Sequence, residues 1–206
     1  MKNHLSILII FLAFLVTASA AADSAVNVTP GITYMCGDSF EITVIDQPMT
    51  ASQVTRASSV QAEAGPDERL MMVRVSFRNM TSAVYNGFTP DSFTLTGYVR
   101  DRAMNYTPVV FQSYDYAYGS SGSAVTSAGG LTMPPLREED ILLVFRVNPI
   151  LINWELHFKP ESQGELTYEY DNARYEALNL APCDGVLRFT SIRNAETGEI
   201  TNYIRK

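Results

Sequence analysis

The sequence predicts an all-β protein, an antiparallel β-sandwich of many short strands. Three observations carry this expectation. Apolar and polar residues alternate along repeated short segments, turn-forming clusters separate those segments, and no long stretch repeats apolar residues at helical spacing. Successive strand side chains point to opposite faces, so each alternating segment offers one face to a core and the other to water. Strands that follow one another without intervening helices build packed antiparallel layers.

In chain order, the first segment is a leader. Lys2 precedes an uncharged apolar run at residues 5–16, and Ala18-Ser19-Ala20 then reads as an A-x-A cleavage site, with Ala22 as a second position. The run falls short of the about 20 apolar residues a membrane-spanning helix needs, so residues 1–20 are expected to be a cleaved signal peptide. An uncleaved anchor is the alternative. Residues 21–35 form an N-terminal segment.

The sandwich is expected over residues 36–160. In residues 39–46, Phe40, Ile42 and Val44 alternate with Ser39, Glu41 and Thr43. Residues 51–68 have little apolar content and read as a solvated loop. Val73, Val75 and Phe77 then alternate with Arg74, Ser76 and Arg78, and Phe93 and Leu95 flank Thr94. Residues 112–130 are rich in Ser and Gly and read as a second long loop carrying Tyr114, Tyr116 and Tyr118. Strand alternation returns with Leu143, Phe145 and Val147, and again with Trp154, Leu156 and Phe158 opposite Glu155, His157 and Lys159. Between these segments lie Asp46-Gln47-Pro48, Asn86-Gly87, Thr89-Pro90-Asp91, Met133-Pro134-Pro135 and Pro160-Glu161, all turn material. Residues 161–206 form a C-terminal β extension packed on the sandwich. It holds weaker strands at 166–170 and 174–178, then a hairpin of 186–192 with 199–204 around 194–198.

Composition narrows the chemistry. The chain has 206 residues, 46% apolar and 18% charged, which is the composition of a folded domain and not of a disordered one. A net charge of -7 carries no basic footprint for nucleic acid. Two histidines and two cysteines are too few for a zinc finger or an iron–sulfur cluster, and no cofactor is expected. In an oxidising compartment Cys36 and Cys183 are expected to form a disulfide, worth roughly 4–5 kcal/mol by loop closure. Two free thiols are the alternative.

A resemblance adds to this reading. Gly37-Asp38 leads into the strand at 39–46, and residues 70–79 (LMMVRVSFRN) close on Asn79-Met80-Thr81. Thr89-Pro90-Asp91-Ser92-Phe93-Thr94-Leu95, Gly129-Gly130-Leu131, Pro135 and Trp154-Glu155-Leu156-His157-Phe158 follow in order. This pattern resembles a family of uncharacterised secreted or lipid-anchored bacterial domains. They share an immunoglobulin-like sandwich with the mycobacterial immunoprotective extracellular antigen. The resemblance covers residues 36–160 and implies that fold, a bacterial source and a location outside the cytoplasm. It supplies no functional residues. The leader lacks the lipid-attachment cysteine of many members, and residues 161–206 extend past their usual end.

Catalytic patterns are sparse. A Ser–His–Asp arrangement needs a base beside the nucleophile, and His157, the only histidine after the leader, is expected to be an exposed strand residue. No G-x-S-x-G elbow is present. Glu138-Glu139-Asp140 reads as a solvated turn; paired carboxylates of a glycoside hydrolase are the competing reading. Asp101 with Asn105, or Asp171 with Asn172, offers oxygens for calcium at no EF-hand spacing. Asn27, Asn79 and Asn105 each begin an N-glycosylation triplet. The tyrosines of the second long loop, set among Ser and Gly, have the composition of a recognition surface. The expected function is therefore a non-catalytic, secreted or cell-envelope binding module. It would recognise a protein or glycan through that loop, with no nucleic-acid partner and no membrane span after cleavage. The alternatives are a structural or accessory extracellular domain and a carboxylate-based hydrolase.

Overall fold

The computed structural model describes residues 25–36, 39–56, 59–82, 85–100, 102–114, 131–159, 167–170, 173–176 and 185–203. The expected leader, Gly37, Asp38, Asp101, Tyr116, Tyr118, Asp171, Asn172 and Cys183 lie outside the described residues.

The chain opens with β1 (Val26–Val28) and β2 (Thr33–Cys36), separated by a turn in which Gly31 takes a φ of 79°. β3 (Phe40–Val44) buries its apolar positions and leaves the intervening ones half-exposed, as the alternation requires. β4 (Met49–Ala51), β5 (Gln53–Arg56) and β6 (Ser59–Glu63) lead to the long β7 (Arg69–Asn79). After β8 (Tyr85–Phe88), a single 3-10 turn at Pro90–Ser92 starts β9 (Phe93–Val99). β10 (Arg102–Tyr106), β11 (Pro108–Tyr114) and β12 (Leu131–Met133) precede β13 (Glu138–Val147) and β14 (Ile152–Phe158). β15 (Thr167–Tyr170), β16 (Ala173–Glu176), β17 (Gly185–Phe189), β18 (Ser191–Asn194) and β19 (Ile200–Asn202) complete the order.

Two sheets face each other. One has five strands in the order β1-β17-β14-β9-β10; the other has eight, along the path β11-β13-β7-β4-β18-β19 with β3 beside β7 and β2 beside β3. All pairings in the two sheets are antiparallel except β1 with β17 and β4 with β18. The two inner faces enclose a core of Phe40, Ile42, Val75, Phe77, Leu143 and Phe145 from the large sheet and Phe93, Leu95, Leu156, Phe158, Leu187 and Phe189 from the small one. Aromatic rings meet edge-on or tilted inside it. Phe77 and Phe158 lie 4.7 Å apart, and Phe40 and Tyr85 lie 5.0 Å apart. Such pairs add roughly 0.5–1.5 kcal/mol beyond the area they bury. The all-β sandwich that the alternation predicts is the fold of the chain.

Three local expectations are corrected. Residues 51–68 are not a solvated loop. β5 and β6 form a hairpin on the outer face of the large sheet, where Val54 and Ala62 close a second apolar cluster with Leu70, Val110, Leu142 and Val144. Glu138-Glu139-Asp140 is not a turn but the start of β13, paired with Ser76, Phe77 and Arg78 of β7. Residues 112–114 belong to β11 and not to a loop, with Gln112 and Ser113 buried; residues 115–130 lie outside the described residues.

The segment at 186–192 is two strands. β17 lies between β1 and β14 in the small sheet, and after a bend at Thr190 the chain enters the large sheet as β18. The terminal hairpin with β19 turns at Gly198, whose φ is 75°.

Candidate functional site

The small sheet carries a bulge that shapes its inner face. Ile152 pairs with Tyr98 and Glu155 with Thr96, so Asn153 and Trp154 together oppose Gly97. Asn153 supplies the left-handed residue of this bulge at φ 56°, a conformation Asn tolerates better than most residues. The extra residue turns Ile152 outward, 47% exposed, and lays the Trp154 indole on Gly97. A β-carbon at Gly97 would come within 2.4 Å of the indole ring. Tyr106 packs on the same indole at 6.1 Å between centroids.

Trp154 is also part of the wall of an open cleft of about 200 Å³ at one end of the sandwich. β7 begins there with Arg69 and Met71, while β13 finishes with Val147 and hands on to Pro149 and Leu151. Thr50 of β4, Ile192 and Asn194 of β18, and Glu199, Thr201 and Tyr203 in and beside β19 complete the lining. The lining thus combines apolar and aromatic side chains with Arg69, Glu199, Asn194 and two threonines, the mixture that characterises ligand pockets. Burial pushes the Tyr203 phenol above its ordinary value, and the neighbouring Trp154 side chain partly offsets the rise.

The described residues that the sequence picks out for function are not among those lining the cleft. Tyr114 ends β11 opposite Asp140, whereas Tyr116 and Tyr118 lie outside the described residues. Cys36 is buried at the end of β2, and a β-carbon on Gly185 would lie 3.1 Å from its Sγ. Cys183, two residues before Gly185 in sequence, is outside the described set. Asn79 is fully buried; its Nδ2 donates to the Met133 carbonyl at 3.0 Å and its Oδ1 accepts from Thr81 N–H. In the fold its amide is therefore closed to a glycan, and its work is to pin the β12–β13 connection to the end of β7. Asn105 Oδ1 accepts from the Thr96 hydroxyl at 2.9 Å. Among the described residues no group of three metal-ligating side chains forms.

Ionisable groups cluster on the outer faces. On the small sheet Glu155, 6% exposed, accepts from the Tyr98 hydroxyl at 2.7 Å and from Arg188 Nη2 and Nε at 2.7 and 2.9 Å. His157 is half-buried and not the exposed residue expected of it. Its Nε2 lies 3.8 Å from Glu155 Oε2 and makes no hydrogen bond. Burial raises the Glu155 carboxyl, but Tyr98 and Arg188, with a smaller contribution from His157, outweigh it and hold it below the ordinary range. A lowered folded value means that this carboxylate stabilises the fold fully above the unfolded value of about 4.3 and stops doing so as pH falls through the folded value. Glu155→Gln is expected to cost about 2 kcal/mol near pH 7, with the gap from wild type closing on acidification. Urea unfolding at pH 7 and pH 3 checks this, and a gap that ignores pH refutes it.

On the large sheet Glu138 accepts from the Ser76 hydroxyl at 2.5 Å, and Asp140 also hydrogen-bonds Ser76. Burial pushes the Asp140 carboxyl up, with Ser76 and Arg74 opposing the rise. These carboxylates lie on the outer face beside Arg74, away from the cleft, and Asp140 and Glu155 belong to different sheets.

No family model matches the chain, and no curated protein matches it. Solved structures show distant similarity. An uncharacterized β-sandwich protein from Clostridium difficile 630 is 13% identical, with a TM-score of 0.45 over 80% of this chain and 94% of that one. MPT63, a secreted protein from Mycobacterium tuberculosis, is 13% identical, with a TM-score of 0.41 over 82% of this chain and 98% of that one. A functionally unknown protein from Listeria monocytogenes EGD-e is 10% identical, with a TM-score of 0.40 over 63% and 71% of the two chains.

Proposed function

We propose that this chain is a secreted or cell-envelope β-sandwich that binds a protein or glycan, without catalysis, and that its binding site is the cleft at the sandwich end. The observation that carries the reading is the cleft itself, in which Trp154 and Tyr203 meet a rim of Arg69, Glu199, Asn194 and Thr201. A carboxylate hydrolase needs its acid and base together in a cleft. Among the described residues, Asp140 and Glu155, two of the three carboxylates with shifted ionisation, lie on outer faces of different sheets. The third, Glu196, is an exposed turn residue that accepts from Ser52 N–H. The leader at residues 1–20 and the closeness of Cys36 to Gly185 support export and a Cys36–Cys183 disulfide.

Thr201→Tyr fills the mouth of the cleft with a residue strands accept well. Envelope extracts passed over immobilised wild type, Thr201→Tyr and a Tyr114/Tyr116/Tyr118→Ser variant separate the readings. Retention by wild type and the serine variant but not by Thr201→Tyr is expected. Loss only in the serine variant moves recognition to the loop. Equal recovery by all three, or by none, overturns binding in favour of a structural domain.

A further inference from the structure

β19 ends the path of the eight-stranded sheet, and its pairing with β18 leaves its other side open among the described residues. Two hydrogen bonds set the phase of that pairing: Asn194 N–H to the Glu199 carbonyl at 2.7 Å and Tyr203 N–H to the Thr190 carbonyl at 2.8 Å. Bonded and non-bonded pairs alternate in an antiparallel ladder. Thr201 opposite Ile192 is therefore turned toward β18, and the N–H and C=O groups of Ile200 and Asn202 point away from it. The side chains obey the same alternation. Glu199, Thr201 and Tyr203 line the cleft, while Ile200 turns to the other face, 51% exposed.

We propose that the cleft and the open edge of β19 are one site, taking an extended peptide that adds a strand beside β19 and lowers a single large apolar side chain toward Trp154. This rests on the reading of the cleft as the binding site and names its partner. A strand added there lies about 4.8 Å from β19, and every second side chain falls on the face of Thr201. The cleft, at about 200 Å³, is smaller than the roughly 300–1,000 Å³ of pockets for drug-sized ligands. It matches one ring or one branched aliphatic group. Backbone pairing supplies affinity and the pocket supplies selectivity, as in other strand-addition complexes. Arg69 and Glu199 set opposite charges on the lining. They complement a strand with one acidic and one basic residue two positions either side of its anchor.

The probe is a blocked heptapeptide with phenylalanine at its centre, lysine and glutamate two positions either side, and serine or threonine elsewhere. Trp154, the chain's only tryptophan and 2% exposed, reports occupancy through its emission; titration calorimetry gives affinity independently. Saturable binding is expected. An alanine-centred peptide should bind at least tenfold more weakly. So should one N-methylated at the two residues flanking the phenylalanine, whose N–H groups face β19. Ile200→Pro should weaken binding similarly, because it deletes an outward N–H at a position where edge strands accept proline. No binding, or equal affinity for the N-methylated peptide, overturns the proposal, as does an Ile200→Pro protein that binds like wild type. Phenylalanine amide binding as tightly as the heptapeptide assigns the cleft to small ring compounds, and a dimer dissolved by Ile200→Pro assigns the edge to a second copy. Either result overturns it too. If the peptide fails while Thr201→Tyr still abolishes capture from extracts, the peptide proposal falls alone. If Thr201→Tyr is also silent, the cleft reading falls with it.

Discussion

Replacing Gly97 by alanine is expected to destabilise the protein by about 2–3 kcal/mol and to shift Trp154 emission to the red. The added methyl carbon would stand 2.4, 2.7 and 2.8 Å from three atoms of the indole ring, well inside contact distance. The ring cannot withdraw freely, because Tyr106 packs on it and it is 2% exposed. Overpacking of a filled core costs about 1–3 kcal/mol, and alanine recovers only about 0.5–1 kcal/mol over glycine inside a strand. A double-mutant cycle supplies the internal control. On a Trp154→Leu background the same Gly97→Ala change should cost far less, since the clashing ring is gone. Urea midpoints for the four proteins measure the coupling. Additive costs would show that Gly97 is tolerated for reasons other than the indole above it.

A larger effect is expected from the cysteines. Cys36 is buried at the end of β2, and the chain passes within reach of its sulfur at Gly185, shortly after Cys183. The proposed Cys36–Cys183 bond would close a loop across most of the chain, worth about 4–5 kcal/mol in the chain-entropy account. Against a total domain stability of about 5–15 kcal/mol, that is a substantial share. Denaturant unfolding with and without reductant should show the difference, and a Cys36→Ser/Cys183→Ser protein should match the reduced wild type. Mass spectrometry after alkylation under denaturing conditions decides the chemistry directly. Two alkylated thiols in the untreated protein would remove the bond from the account.

The sequence made the core strands legible where one face only is apolar. Phe40/Ile42/Val44 and Val73/Val75/Phe77 alternate cleanly because their partners face water or charges, and the structure buries those six side chains. Legibility failed where both faces are covered. Leu142 and Val144 turn outward beneath the β5–β6 hairpin while Leu143 and Phe145 turn inward. The unbroken apolar run at 141–145 was the available sign that something lies on the far side. The hairpin itself escapes because Val54 and Ala62 are its only buried apolar side chains among the described residues, too few for a period to show. β10 escaped for the opposite reason: Arg102 to Asn105 are all exposed.

The site was less legible still. The tyrosines at 114, 116 and 118 stood out by composition, whereas the cleft gathers residues scattered from Thr50 to Tyr203, most of them ordinary in sequence. The alternation places Trp154 in the core, where it is; its second role depends on the bulge at Asn153, and a single asparagine announces no bulge. The same alternation assigns Glu155 and His157 to the water-facing side of their strand. No local pattern signals that Arg188, distant in sequence, crosses over to cover the carboxylate.

The position of β17 has a consequence for how the chain reaches its final form. β17 sits between β1 and β14, so the small sheet has a missing slat until residues 185–189 have been synthesised. β1 and β17, far apart in sequence, must meet before the two layers can shut on each other. Pairings so distant along the chain make folding slow. For an exported protein, as proposed here, that delay is useful: the emerging polypeptide stays threadable at least until β17 arrives to fill the gap.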